Sequence, residues 1–322
     1  MDLEEKIALA TRNAEEVVTE DELKKLFESR KKLRAYAGYE PSGEIHLGHM
    51  ITVQKLVDLK EVGFEVVVLL ADIHAYLNEK GTFEEIAEIT KMNRKVFMAL
   101  GLEDAKFVLG SEFQLEEKYM LDVLKFARIT TLNRAKRSMD EVSRRKEDPM
   151  VSQMIYPLMQ SLDIAYLEID VAVGGIDQRK IHMLARENLP KLGYKVPTCI
   201  HTPILPGLDG QKMSSSKGNY ISVRDSPETV EEKLKKAYCP IKVVENNPVI
   251  EITRFYIFPR FKEFVVERDA KHGGDVVYRS FDELRKEYEG GLIHPLDLKV
   301  AVARYLNKIL DPARKKLRCQ SE

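Results

Sequence analysis

Residues 64–72 read FEVVVLLAD, a run in which only Glu65 and Asp72 are polar. A strand with one wet face alternates apolar and polar side chains. A strand that is apolar at nearly every position is covered on both faces, the situation of a parallel sheet with helices on each side. AYAGYE (35–40) is small and aromatic like a second buried strand. Pro41-Ser42-Gly43 breaks it, and a helix-like run, IHLGHMITVQKLVDLKEVG, follows to Gly63. A βαβ unit is therefore complete by residue 72.

The alternation continues. We expect an amphipathic helix over 82–101, a strand in KFVLGSEF (106–113), a long polar helical region to about 146, an apolar strand in YLEIDVAVGG (166–175) and a helix in DQRKIHMLARENL. This pattern predicts an α/β fold, a doubly wound parallel sheet of Rossmann-like form, with ligands beyond the carboxyl ends of the strands. Two short helices are expected in the first 30 residues, the second opened by a capping box at Thr19-Glu20-Asp21-Glu22. Near residue 223 the texture changes. DSPETVEEKLKKAY begins with an Asp/Ser cap and a proline, and shorter, more charged helices follow, so we expect a catalytic domain over 1–222 and a smaller, mainly α-helical domain over 223–322.

The 322 residues suit two domains, and 44% hydrophobic residues supply a sizeable core, which excludes a disordered chain. The net charge of −1 means that any polyanionic partner must meet a local basic patch. Cys199, Cys239 and Cys319 have no paired spacing, so neither a zinc knuckle nor a disulfide framework is expected, and a reducing, cytoplasmic setting follows. No apolar run reaches the roughly 18 residues of a membrane span, and the charged start reads as untargeted.

Three segments carry chemistry. In PSGEIHLGH (41–49), His46 and His49 lie three apart at a helix start, where unpartnered backbone N–H groups favour an anion. Gly48 between them lets a flat ring or a phosphate approach the backbone. Two surface histidines or a metal pair would read the same way, but the position after a strand of a parallel sheet favours a nucleotide. In GLDGQKMSSSKGN (207–219), Lys212 and Lys217 bracket Ser214, Ser215 and Ser216. Point charges and hydroxyl donors suit a pyrophosphate, although such a segment alone is more often a surface loop. In SQMIYPLMQSLD, Tyr156, Gln160 and Asp163 fall on one face of a helix whose intervening residues are Pro, Leu, Met, Leu and Ser. Such a stripe lines a pocket or forms a buried hydrogen-bond network.

HLGH followed by KMSSS resembles the two signature motifs of class I aminoacyl-tRNA synthetases, usually written HIGH and KMSKS. Together with AYAGYEPSG and VAVGGIDQRKIHMLARE, the chain from about residue 30 onward resembles the tyrosyl-tRNA synthetases in their short archaeal and eukaryotic form. That resemblance implies a tyrosine pocket: Tyr36 and Asp163 on the phenolic hydroxyl, and Tyr156, Gln160 and Gln178 on the amino group. A site whose buried polar groups are built for a hydroxyl leaves them unpaired when phenylalanine enters. The resemblance further implies ATP, with Mg²⁺, held by His46, Gly48, His49, Lys212, Met213, Ser214 and Ser215. Of these, His46, His49, Lys212 and Ser215 act in catalysis. Tyrosine's carboxylate, ionised at neutral pH, attacks the α-phosphorus without a general base, and the glycine- and serine-rich loop closes over ATP and reopens.

KMSSS departs from KMSKS, so the second lysine's role passes to Lys217 or is lost. No RNA-binding extension like that of bacterial relatives is expected. For tRNA, residues 125–146 hold eight Lys/Arg against two acidic residues, which suits acceptor-stem phosphates or a solvated helix face. The resemblance also places Arg179 near the first base pair, Asp297 of GLIHPLDLK on an anticodon guanine edge and His272 stacked on that base. It implies a homodimer, with 114–146 a candidate contact region. A tryptophan enzyme shares these motifs, but indole presents a donor only and gives little use for Tyr36 and Asp163 together. A small nucleotidyltransferase would not need the second domain, and a non-catalytic RNA-binding relative could lose HLGH or the pocket.

Overall fold

A computed structural model describes residues 1–29, 31–142, 148–213 and 217–319. Its main sheet contains β1 (Glu16–Val18), β2 (Arg34–Tyr39), β3 (Glu65–Leu70), β4 (Lys106–Leu109), β5 (Val171–Gly175) and β6 (Thr198–Thr202) in the order β1-β6-β5-β2-β3-β4. Five strands run parallel, and β1 pairs antiparallel with β6 at one edge. The sheet is thus mixed, not wholly parallel. The three residues of β1 are too few to show a period, and they are fixed from outside, where the neighbouring Glu15 N–H donates to the His201 carbonyl at 2.8 Å. From β2 the chain winds outward through β3 and β4, then returns to β5 on the other side. That reversal between β2 and β5 makes the crevice at which doubly wound sheets take ligands.

Helices α1 (Leu3–Thr11) and α2 (Glu20–Glu28) flank β1, and Thr19 caps α2 with its side chain accepting from Glu22 N, as expected. The crossover helix α3 (Leu47–Glu61) joins β2 to β3; α4 (Asp72–Leu77) and α5 (Phe83–Phe97) join β3 to β4. The helix expected to residue 101 loosens into a wider turn over Met98–Leu102, where Gly101 has φ 107°. The strand expected over 106–113 stops at Leu109, because Asp72 Oδ1 accepts from Ser111 N at 2.9 Å and bends Gly110–Glu112 into a single tight turn. Among the described residues the long polar region forms two helices, α6 (Glu117–Arg128) and α7 (Leu132–Met139), the second opened by Thr131 accepting from Arg134 N. Helix α8 (Ser152–Tyr166) extends into the segment read as strand, so β5 begins only at Val171. Helix α9 (Arg179–Asn188) follows β5. Val67, Leu69, Val108, Phe126, Leu162, Ala172 and Leu184 pack in one buried cluster that includes Tyr36 and Tyr119. Fully burying one such aliphatic or aromatic side chain stabilises by roughly 1.5–3 kcal/mol, which holds these elements in register.

The compact units divide elsewhere than at residue 222. One contains residues 1–43 and 51–203, the other 44–50 and 204–322. Main-chain bonding explains the second: Leu47 N donates to Ile221 O at 3.1 Å, Val223 N donates to Ile45 O at 3.0 Å, and His46 bridges Ser222. HLGH is thereby held by the stretch that follows the serine-rich segment. This unit continues through α10 (Pro227–Lys236), capped by Ser226 as its sequence suggests, and α11 (Pro248–Ile252). A two-stranded hairpin, β7 (Phe264–Val266) and β8 (Val276–Tyr278), interrupts the helices before α12 (Phe281–Gly290) and α13 (Pro295–Cys319).

Candidate functional site

In the first unit, polar side chains converge at the carboxyl ends of the strands. Helix α8 turns Tyr156, Gln160 and Asp163 to one side, as the spacing predicts, with Tyr156 and Asp163 buried. Asp163 Oδ1 accepts from Gln114 Nε2 at 2.8 Å and from the Tyr119 hydroxyl at 2.7 Å. Burial pushes its carboxyl up to about 7, against the downward pull of those two donors. Tyr36, buried on β2, has its hydroxyl pushed up by burial first and by the Asp163 charge second, so the two expected hydroxyl-binding residues are electrostatic neighbours. Tyr156 donates to Glu40 Oε1 at 2.5 Å and packs edge-on against the His74 ring. Gln160 Nε2 donates to Gln178 Oε1 at 3.1 Å, while Gln160 Oε1 has no protein partner. All five residues expected to hold tyrosine therefore lie in one unit, in two linked groups.

His74, Gln114, Tyr119 and Glu40 went unnoticed in the sequence. Their signal was position: Glu40, His74 and Gln114 follow β2, β3 and β4 within a few residues, where a parallel sheet presents its site. Tyr119 carried no such mark. It reads as one more apolar-face residue of an amphipathic helix.

In the second unit, the rings of His46 and His49 are 3.9 Å apart. Gly48 N donates to His46 Nδ1 at 3.1 Å, and His46 N donates to His49 Nδ1 at 3.3 Å. Each ring thus accepts at Nδ1 and presents Nε2 as its donor. Burial, then the neighbouring His49, pushes His46 down to about 2, so its ring is neutral at physiological pH. A Cβ on Gly48 would fall 2.9 Å from His46 Cε1 and 3.2 Å from Met213 Sδ, which puts Met213 directly over the glycine. The preceding turn is tied by Gly207 N donating to Gln211 O, by a bridge between Pro206 and Lys212, and by Asn219 Nδ2 donating to Lys212 O at 3.2 Å. Lys212 is exposed. Ser214 and Ser215 lie outside the described residues.

Among the residues expected at tRNA, Arg179 pairs with Glu16, its Nε 2.7 Å from Oε2. Asp297 sits in the first turn of α13, and His272 ends the short turn Ala270–His272. Within 125–146, Arg134 is committed to Glu187 and Lys125 to Asp122, while Lys136 and Arg137 are exposed; residues 143–147 lie outside the described residues.

A family model described as class I tRNA synthetases (W and Y) matches residues 28–311. The tyrosine–tRNA ligase of Archaeoglobus fulgidus is 73% identical over 319 residues, 98% of this chain and 99% of that one. The crystal structure of the tyrosyl-tRNA synthetase from the same organism, complexed with L-tyrosine, matches with TM-score 0.94 and covers 98% of this chain and 100% of that chain. The tyrosyl-tRNA synthetase of Pyrococcus horikoshii, also complexed with L-tyrosine, matches with TM-score 0.93 at 35% identity, covering 100% and 98% of the two chains.

Proposed function

The chain belongs to the class I tRNA synthetases of the tryptophan and tyrosine group, and from that premise we propose that it is a tyrosine–tRNA ligase. It activates L-tyrosine with ATP to tyrosyl-adenylate and transfers the tyrosyl group to the 3′ end of its tRNA. The observation that carries the choice of tyrosine is Asp163: a fully buried carboxylate, held through Oδ1 by two donors, with Oδ2 lacking a hydrogen-bond partner. A buried polar atom left without a partner costs stability unless a ligand supplies one, and a phenolic hydroxyl supplies it. Indole would offer only a ring N–H, with no use for the neighbouring Tyr36 hydroxyl.

Tyr36 and Asp163 take the hydroxyl; Tyr156, Gln160 and Gln178 take the ammonium group, with Glu40 supplying negative charge behind Tyr156. Tyrosine's carboxylate displaces pyrophosphate from the α-phosphorus of ATP. Its positioning, rather than a general base, supplies the catalysis. His46 and His49 donate from Nε2 to phosphate oxygens as negative charge develops. Gly48 and Met213 shape the surface beside them, and Lys212 with Ser214 and Ser215 meets the leaving pyrophosphate. Mg²⁺ arrives with ATP as the counter-ion of its phosphates. Among the described residues no group of three or more His, Cys, Asp or Glu forms a cation site of the protein's own.

The tRNA is met by Arg179 at the acceptor end and by Asp297 and His272 at the anticodon. Exposed Leu121 and Leu124 on α6 and Leu132 on α7 form the apolar surface of a homodimer, to be checked by sedimentation. No described helix is long and apolar enough to cross a membrane, and a translation enzyme of this kind works in the cytoplasm.

Amino-acid-dependent ATP–pyrophosphate exchange tests the reading. Tyrosine should stimulate exchange strongly and phenylalanine or tryptophan hardly at all; equal stimulation by phenylalanine would sink it. Asp297→Ala should lower charging of tRNA at least ~10-fold while sparing exchange, since a lost hydrogen bond to a charged group acts there only through RNA. An equal loss in both steps would place Asp297 in the fold instead.

A further inference from the structure

At the base of the pocket the Gln114 side chain, fully buried, makes two contacts with one nitrogen. Its Nε2 lies 2.8 Å from Asp163 Oδ1 and 3.4 Å from His74 Nδ1. An amide NH₂ only donates, and the carboxylate fixes which end of the amide faces it, since the amide oxygen there would be repelled. The ring nitrogen that meets the other amide hydrogen must accept. Neutral His74 then carries its hydrogen on Nε2.

That Nε2 and Asp163 Oδ2 are 3.6 Å apart, and neither has a hydrogen-bond partner. Two buried polar atoms, one a donor and one an acceptor, face the same space. We propose that Gln114 is a positioning residue of the tyrosine pocket: one amide group sets the His74 tautomer and the Asp163 carboxylate together, making His74 Nε2–H and Asp163 Oδ2 a matched donor and acceptor for the substrate's hydroxyl. This rests on the reading of the pocket given above.

The surroundings support the arrangement. Gly110 leaves room for Gln114, since a Cβ there would fall 2.5 Å from its Oε1. The Tyr119 hydroxyl lies 2.7 Å from Asp163 Oδ1 and 2.9 Å from the Met159 carbonyl. Its one hydrogen has these two acceptors, and donation to Oδ1 favours the charged carboxylate. Tyr119 therefore supports the charged form without competing for Oδ2. The other titratable groups facing Asp163 are His74 and Asp72 on α4, Tyr36 on β2 and Tyr156 on its own helix. His74 is held neutral, its ring pushed down to about 4 by burial against a weaker upward pull from the Tyr156 main chain. A neutral donor beside the carboxylate suits a hydroxyl that must both accept and donate. Phenylalanine satisfies neither atom.

The test joins a spectroscopic and a kinetic measurement on the full chain. The imidazole ¹⁵N signals of His74 should show Nε2 protonated and Nδ1 bare in the unmodified protein; an Nδ1–H tautomer would overturn the proposal whether or not any variant folds. Gln114→Met keeps the volume and removes both amide hydrogen bonds. It should raise KM for tyrosine at least ~10-fold in pyrophosphate exchange, leave kcat within about threefold and leave phenylalanine activation unchanged. A parallel fall for tyrosine and phenylalanine would show a role in folding only and also overturn the proposal. Asp163→Asn separates the two levels. If it leaves tyrosine activation intact, the reading of the pocket fails; if it impairs activation while Gln114→Met does not, the positioning role alone fails.

Discussion

The two regions assigned to substrates are built on opposite terms. The proposed amino-acid pocket of the first unit is made of buried side chains: Asp163, Gln114, His74 and Tyr119 are joined by side-chain hydrogen bonds, and Tyr156 donates to Glu40. The proposed phosphate region of the second unit combines two histidine rings oriented by main-chain N–H groups with the exposed charge of Lys212. Gly48 N and His46 N orient two rings, turns tie residues 206–212, and Lys212 is exposed. The difference follows from what each must recognise. Rejecting a substrate that lacks one hydroxyl requires groups that suffer when unpaired, and only burial makes them suffer. Holding a polyphosphate requires charge and N–H donors, which tolerate water, and a lysine acting as a point charge needs no fixed surroundings.

The contrast is broken most directly at Lys212. Removing a group that stabilises developing charge typically costs roughly 10²–10³-fold in turnover. Lys212→Ala should lower kcat of tyrosine activation by that order and leave KM for tyrosine unchanged, because the pocket does not depend on it. Steady-state pyrophosphate exchange at varied tyrosine checks both. A raised tyrosine KM would mean that the two regions are not separable in this way.

The same contrast explains how much was legible beforehand. FEVVVLLAD announced β3 and the layered sheet because burial on both faces leaves a compositional mark, and the spacing of Tyr156, Gln160 and Asp163 announced one face of α8 because helical periodicity does. HLGH and KMSSS stood out as dense clusters of unusual residues. Gln114, His74 and Tyr119 did not, since each is a single polar or aromatic residue whose meaning comes from partners 40 to 49 positions away. Edge strand β1 was missed for a related reason: it is defined by His201 and Cys199 across the sheet, not by its own three residues. The main-chain bonds between Ile221 or Val223 and residues 45–47, within the compact unit of 44–50 and 204–322, leave no trace in composition.

A smaller effect separates the regions by pH. An ionised Asp163 accepts from the substrate hydroxyl far more strongly than a protonated one, and burial holds its carboxyl at about 7. Because the raised value favours the protonated form, affinity for tyrosine is fully present above that pH and is lost as pH falls through it. With a value of about 7, the ionised fraction drops from about nine-tenths at pH 8 to about one-tenth at pH 6, so KM for tyrosine should rise roughly tenfold across that window. His46, pushed down to about 2, stays neutral throughout and adds no step of its own. Asp163→Asn should raise KM for tyrosine about 10-fold to 100-fold at pH 8, the loss of a hydrogen bond to a charged group, and should also flatten the pH profile. Measuring KM for tyrosine from pH 6 to pH 8 in both proteins decides the matter: a step that survives in Asp163→Asn belongs to another group, and a flat profile in the unmodified protein would show that Asp163 is held ionised well below neutrality.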